Sequence, residues 1–340
     1  MRDLENGFDD EEDSPEDAKK DTSGTLYFMQ ETDHLTGEKF DYVKIGIVRG
    51  DKDVNGREKA HRTGNPRNIT TVKELQMPDV QRLETHLHNQ FAIHRVSSGE
   101  WFYLPGELFK KVFEVAVTKH AELIANSAKL AAEAVATKTE HAGKPIAGNS
   151  DLESLVKKIL ELKAKESKNK KEKELVSKAL VALAGESQDY QYLFKVSSTD
   201  AKMEFDSARF RESHPEIYDL FKTKVSSNWK LKYLIKAESL DSQEPKIEGL
   251  SPIELHHSYL EIWSKAAELT WELTLLEAEL LHHMGDSSEI EGLVAWTHTS
   301  SMLFDKAAFI REHEELHNKF QREVPSKITR LPAEWASYPR

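Results

Sequence analysis

Two short runs near the N-terminus admit little besides an antiparallel β-hairpin. Residues 26–30 read LYFMQ and residues 40–48 read FDYVKIGIV, both rich in the β-branched and aromatic side chains that fit a pleated surface. DHLTG at 33–37 supplies turn chemistry between them. A period of two puts Tyr42, Lys44 and Gly46 on one face of the second strand and Val43, Ile45 and Ile47 on the other. The apolar face needs a cover, and the chain that follows supplies one. After a polar loop, residues 57–62 are short and helix-prone, and TGNP at 63–66 stops them. Residues 69–76 read as a third strand. A helix is expected from Val80 to about His94, with Val80, Leu83, Leu87 and Phe91 on its apolar face. SSG at 97–99 ends it, and EWFYL at 100–104 reads as a short closing strand.

The pattern then changes. Residues 107–139 form an Ala-rich helical stretch, and HAGKPIAGNS at 141–150 is a linker. Residues 151–184, 205–221, 252–284 and 289–323 all carry helical periodicity, so this second region is expected to be nearly all-α. No fixed-period internal repeat is evident. The expected fold class is α+β, with four parts. An acidic disordered tail at 1–22 precedes a small sheet-and-helix domain at 23–105. A helix and linker at 106–150 lead to a mainly α-helical domain at 151–340, expected to recognise a target, oligomerise or regulate.

The chain has no cysteine, which excludes disulfides and thiolate metal sites and fits a reducing cytoplasm. No run approaches the roughly 18 apolar residues of a membrane span, and the acidic start lacks the apolar stretch of a signal peptide. A cytoplasmic protein without a membrane partner is expected. The net charge of −12 argues at first against a polyanionic partner. Its distribution answers the objection. Residues 1–22 hold ten acidic and three basic residues, whereas residues 24–111 hold twelve acidic and thirteen basic ones. The potential at one cleft is set locally, and the tail could screen that cleft until a substrate displaces it.

The first region carries a set of groups suited to phosphodiester hydrolysis. Tyr27 lies mid-strand and Lys44 lies in its partner strand. Arg57 and His61 are four apart on one helical face, as are Glu84 and His88. Arg57 can fork onto phosphate oxygens. Glu84 can hold a hard divalent cation, which prefers oxygen ligands. Tyr27 or His61 can move a proton. Arg49, Lys59, Arg62 and Arg67 surround the expected cleft as candidate phosphate contacts.

Gly24-Thr25-Leu26-Tyr27, followed by Val43-Lys44-Ile45-Gly46, resembles the two signature strands of the GIY-YIG nuclease superfamily. Arg57 with His61 one turn on matches its arginine-plus-four pattern. REKAHRTGNP at 57–66 and LETHLHNQFAIHRVSSGEWF at 83–102 resemble its phage-type branch. The resemblance covers about residues 24–105. It implies an endonuclease whose catalytic residues are Tyr27, Lys44, Arg57, His61 and Glu84. Mg2+ or Mn2+ on Glu84 is the implied metal, and Tyr27, helped by Lys44 or His61, is the implied proton acceptor. DNA is the leading substrate, with RNA second, and defence against foreign or phage DNA the leading role. Two positions depart from the pattern. Lys44 replaces the second tyrosine and is expected to lower the pKa of Tyr27. Val96 stands where members often carry an asparagine, with His88 and Asn89 as nearby substitutes.

Each residue alone also has a structural reading, as a strand aromatic, a solvated cation or a surface pair. Trp101 and Phe102 read as core, and His94 and Arg95 could track a backbone. In the second region, KKILELKAKESKNKKEK at 157–173 reads as solvated helix charge. Glu254/His257, Glu279/His282 and Glu314/His317 share the spacing of di-iron bundles, yet surface pairing is the commoner outcome. Trp263, Trp271, Trp296 and Trp335 are expected to pack the helical core. FDSARFRESHPEIYDLF at 205–221 resembles a short helical element of some phage-encoded nucleases. The rival functions are a binding-only adaptor, and an effector nuclease switched on by a partner bound to residues 151–340.

Overall fold

The computed structural model describes residues 22–50, 52–62, 67–96, 100–136, 140–184, 189–190, 194–195, 197–199, 201–226, 229–236, 247–324 and 327–330. The tail at 1–21, TGNP, SSG and Trp335 fall outside the described residues.

Strands β1 (Gly24–Thr32) and β2 (Lys39–Arg49) form the expected hairpin, with Tyr27 opposite Gly46 and Met29 opposite Lys44. Helix α1 (Val54–Arg62) leads to β3 (Asn68–Met77), which pairs with the far side of β1. Helix α2 (Val80–Gln90) follows, capped by the Asp79 side chain, which accepts from the Arg82 N–H. A 3-10 turn at Ala92–His94 precedes β4 (Trp101–Tyr103), which pairs with β2. The sheet is antiparallel throughout, in the order β3-β1-β2-β4.

Alternation along β1 and β2 divides the core in two. Leu26, Phe28, Val43, Ile45 and Phe102 pack with Leu83 and Leu87 of α2 and with Val112 and Ala116 of α3 (Glu107–Ala125). Each such buried side chain contributes about 1.5–3 kcal/mol. Tyr27, Met29, Val48 and Ile69 face the other way, against Val54 of α1, with Trp101 at their edge. The stretch expected as one helix over 107–139 breaks at Asn126. There the Nδ2 donates to the Glu122 carbonyl, and α4 (Ser127–Ala136) starts afresh.

Two long helices, α5 (Ser150–Ala184) and α8 (Pro252–Met284), pack antiparallel. Lys158 meets Glu272 at 2.8 Å, Lys163 meets Glu277 at 2.7 Å, and Asn169 donates to the Ile262 carbonyl at 3.1 Å. The basic run thus carries inter-helix ion pairs. Trp271 and Ala278 of α8 share one apolar cluster with Phe28 and Leu83, so α8 also covers α2. Two of the three Glu-x-x-His pairs have a member with a structural role. Glu254 completes a capping box with Ser251, and His317 stacks on Phe205 with ring centroids 5.0 Å apart. Among the described residues no group of three or more His, Cys, Asp or Glu is placed to hold a metal.

The second region is mainly helical, but the nearly all-α expectation needs correction. Between α5 and α8 lie β5 (Asp189–Tyr190), β6 (Phe194–Lys195), β7 (Ser197–Thr199), β8 (Lys202–Phe205), α6 (Ser207–Ser213), α7 (Pro215–Leu220), β9 (Lys222–Ser226) and β10 (Lys230–Tyr233). After α8 come β11 (Glu289–Ile290), β12 (Val294–Thr297), β13 (Ser300–Phe304), α9 (Lys306–Lys319), β14 (Gln321–Val324) and β15 (Lys327–Arg330). The helical pattern at 289–323 is therefore helical only over α9.

A second correction concerns repeats. Residues 203–225 and 302–324 align without a gap, with Met203/Met302, Phe205/Phe304, Asp206/Asp305, Phe210/Phe309, His214/His313 and Phe221/Phe320 coinciding. The two copies exchange strands, β9 pairing with β13 and β8 with β14. Their contacts mirror each other. The Asp206 N–H donates to the Phe320 carbonyl at 2.8 Å, and the Asp305 N–H donates to the Phe221 carbonyl at 2.7 Å. Phe210 and Phe309 meet at the centre, 4.7 Å between ring centroids. Neither copy closes a core alone, which is why the duplication reads as one pseudo-two-fold unit.

Candidate active site

One cleft of about 630 Å³ is lined by Tyr27, Lys44, Arg57, His61 and Glu84. Five positions spread over 58 residues of sequence are brought together by two helices and a strand pair. The hairpin register sets Tyr27 beside β2, α1 brings Arg57 and His61 on one face, and α2 brings Glu84.

Gly46 makes the Tyr27 position available. A Cβ built at Gly46 would sit 2.6 Å from the Tyr27 hydroxyl and 2.8 Å from Cζ, inside any allowed contact. The glycine of the second signature strand is thus where the tyrosine ring lies across its partner. Gly46→Ala is expected to push the ring out of the cleft and, on the function proposed below, to lower cleavage about 10²-fold, the scale of a catalytic group displaced by an ångström. The check is a rate measurement alongside a circular dichroism spectrum that stays unchanged.

Lys44 and Glu84 are both nearly buried, at 8% and 7% exposure. The Lys44 ammonium is paired with Glu100 at 2.6 Å. Glu84 accepts from Gln81 Nε2 at 2.9 Å, and the Gln81 Oε1 in turn accepts from Arg49 Nη2 at 2.6 Å. Burial, then the negative charge of Glu100, pushes the Glu84 carboxyl up to about 7, against the Gln81 hydrogen bond and the Arg49 and Lys44 charges. Burial and Glu100 likewise push the Tyr27 phenol up to about 12, with Arg57 opposing. The expectation that Lys44 lowers the Tyr27 pKa is therefore corrected. The Lys44 charge is turned onto Glu100, and Tyr27 is a phenol at neutral pH. His61 moves the opposite way. Burial and the Lys44 charge hold its pKa below the ordinary histidine value, so it is a neutral imidazole at pH 7.

The four candidate phosphate contacts separate. Arg49 lines the cleft. Lys59 is exposed on α1, outside the cleft lining. Arg62 donates to the Ile69 carbonyl at 2.9 Å and pairs with Glu58 at 2.7 Å, which ties α1 to β3. Arg67 pairs with Glu31 at 2.6 Å and lies over the Phe40 ring. Of the proposed substitutes for a residue near 96, neither reaches the cleft. His88 Nε2 lies 3.0 Å from the Ile45 carbonyl and its ring packs on Phe102, with burial pushing its pKa down to about 4. Val96 pairs through its backbone with Trp101 at 2.7 Å.

Sequence reasoning missed three lining residues, namely Glu100, Gln81 and Lys52. Glu100 had a signal. Lys44 pairs with Trp101 in the sheet register, and the Ile45 N–H donates to the Glu100 carbonyl at 3.0 Å. The residue before the closing strand is thereby set against Lys44. Two carboxylates, Glu84 and Glu100, now face one cleft. A carboxyl whose pKa is pushed up to about 7 by burial and then by a neighbouring negative charge is in the environment that a divalent cation relieves. The donor set, one or two oxygens with room for waters, suits a hard cation such as Mg2+ or Mn2+.

Residues 24–117 match the T5orf172 domain, a phage-associated domain of GIY-YIG-like, nuclease type. The matched segment starts at β1 and ends inside α3, so it contains every residue of the cleft. No curated protein and no solved structure matches the chain. Among the described residues no helix is long and apolar enough to cross a membrane.

Proposed function

We propose that residues 24–117 form a metal-dependent endonuclease of the GIY-YIG type that hydrolyses phosphodiester bonds in DNA. The observation that supports this reading most is the gathering of Tyr27, Arg57, His61 and Glu84 in one cleft, with Glu84 buried and charge-poised. Arg49, Lys52 and Arg57 give the same cleft the cations that a polyanion needs.

The chain's own groups divide the work. Glu84 holds Mg2+ or Mn2+, which when bound supplies Lewis-acid stabilisation of the phosphate oxygens and leaving group. Arg57 forks onto the non-bridging phosphate oxygens and balances the charge they gain. The neutral His61 imidazole takes a proton from the attacking water at a ring nitrogen. Water oxygen then bonds to phosphorus as the bond to the leaving oxygen breaks, that oxygen takes up a proton from solvent water, and the His61 imidazolium releases its own to solvent. Tyr27, a phenol at this pH, donates its hydroxyl hydrogen to the water or phosphate and positions it. Lys44 offsets Glu100, so that Glu84 can ionise to bind the metal.

The assignment of His61 rather than Tyr27 as base gives a distinct pH profile. At saturating metal, the log of the cleavage rate should rise with unit slope below the His61 pKa and level off by about pH 7.5. A rate still climbing beyond about pH 9 would return the base role to Tyr27. A defence role against foreign DNA fits a phage-associated module joined to a helical region that covers α2. Cleavage of unmodified and base-modified DNAs, with RNA alongside, tests the substrate. DNA cut in preference to RNA is expected, and RNA cut faster overturns that assignment.

A further inference from the structure

A second cavity, of about 540 Å³, lies on the side of α2 away from the cleft, against α8. It arises from small side chains on two facing helical stripes. Ala266, Ala267 and Thr270 of α8 stand opposite Thr85 and Asn89 of α2, and none of them fills the space between the helices. Trp263 and Trp271, two turns apart on α8, both line this slot.

Both indoles are held from behind. Trp271 Nε1 donates to Glu122 at 2.6 Å, and its ring contacts His86 at 4.6 Å between centroids. Trp263 carries the Lys173 ammonium 3.8 Å from its ring centroid and meets Tyr259 edge-on. The cavity is thus preformed rather than dependent on a ligand to order it. Besides the His86 imidazole, whose Nε2 lies 3.6 Å from Glu268, its uncharged polar groups are amides and hydroxyls, from Gln81, Asn89, Thr85, Thr270 and Thr274. The two oppositely charged residues in the lining, Asp79 and Arg82, are paired with each other at 2.8 Å. Such a wall suits an uncharged planar ring with hydrogen-bonding edges and gives a phosphate little to bind.

Gln81 lines this cavity and the cleft alike. Its Nε2 donates to Glu84 and lies 3.5 Å from the Thr85 hydroxyl on the cavity side. We propose that the α2–α8 cavity binds a neutral nucleobase or nucleoside, and that its occupancy is coupled to Glu84 through the Gln81 amide. A ring that engages the amide competes with Glu84 for it. The coupling half rests on the proposed metal role of Glu84, whereas the binding half does not.

Calorimetric titration of the full chain with adenosine, guanosine, cytidine and thymidine, without metal, tests the binding half. Saturable binding of at least one is expected, weakened about tenfold or more by Asn89→Ala and by Ala267→Trp. Thermal melting of both variants controls for folding, and Asn89, partly exposed, stands in if Ala267→Trp does not fold. No binding by any nucleoside up to about 10 mM, or binding that both folded variants leave unchanged, overturns the proposal. So does inorganic phosphate binding in place of the nucleosides. A short single-stranded oligonucleotide and its abasic version distinguish the source. Loss of binding with the base removed assigns the cavity to a base of bound DNA, and nucleoside binding alone assigns it to a free effector; either supports the site. For the coupling half, nucleoside is expected to shift the Mn2+ affinity of the full chain about fivefold or more, and not that of Gln81→Leu. Nucleoside binding without that shift overturns the coupling, and Mn2+ that does not bind at all overturns the metal reading instead.

Discussion

Glu84→Gln is expected to abolish cleavage and at the same time to make the metal-free protein harder to unfold above pH 7. The folded Glu84 carboxyl titrates near 7, against an ordinary value of 4.5. Between these values the folded chain keeps a proton that the unfolded chain has released, so stability falls as pH rises through the window. By pH 8 the buried carboxylate costs roughly 2–3 kcal/mol, which the neutral amide removes. Glutamine keeps the shape and still offers an oxygen to Gln81. The same substitution removes the anionic ligand, and cleavage should fall about 10³-fold or more. The two readouts are a single-turnover rate with Mg2+ and a melting temperature at pH 8 in EDTA. A variant that melts lower and cuts as well as the parent would show Glu84 to be a structural residue only.

Arg57→Ala should show the reverse combination in stability. Arg57 is exposed on α1, and truncation there should move stability by no more than about 0.5 kcal/mol. Its guanidinium nonetheless lines the cleft, and in the proposed mechanism it forks onto phosphate oxygens, where a lost transition-state donor costs about 10²–10³ in rate. Arg57→Lys keeps the charge without the fork and should recover only a small part of the loss. Full activity in Arg57→Lys would mean that the position supplies charge alone. Together the two positions separate a stability cost from a catalytic one. In the proposed mechanism Glu84 serves the site at a cost in stability, and Arg57 serves it without one.

The hairpin was legible because its alternation is strict. One side of residues 43–47 is wholly apolar, and Val43 and Ile45 lie in the main core while Lys44 and Gly46 face Tyr27 and Met29. The cleft residues on α1 were legible because spacing of four puts Arg57 and His61 on one helical face, whereas on α2 the same spacing pairs Glu84 of the cleft with His88, which turns to the Ile45 carbonyl and Phe102. Glu100 was hidden by its place in the chain. It sits just before a three-residue strand, and only tertiary pairing sets it against Lys44. The electrostatics were beyond the pattern as well. Lys44 looked like a cation for Tyr27, yet what it neutralises depends on which carboxylate folds beside it.

The second region was harder to read. Its ribbons are short, as with Val294–Thr297, and gain stability from partners far along the chain rather than from local periodicity. The duplicated segments keep the Phe and Asp positions that build the shared core and the caps. Surface positions differ, as Leu220 against Lys319, and the equivalent stacking positions carry different rings, Tyr218 on Phe304 and His317 on Phe205, so the identity is concentrated in the residues that meet at Phe210 and Phe309. A separation filled by α8 conceals it further.

The central claim is that this cleft cuts DNA with a metal on Glu84. The most direct measurement incubates the purified full chain with supercoiled plasmid in Mg2+, in Mn2+ and in EDTA, beside folded Glu84→Gln and Arg57→Ala. Nicking or linearisation that needs the metal and disappears in both variants is the predicted result. Cutting that both variants retain, or no cutting of any DNA or RNA under these conditions, contradicts it.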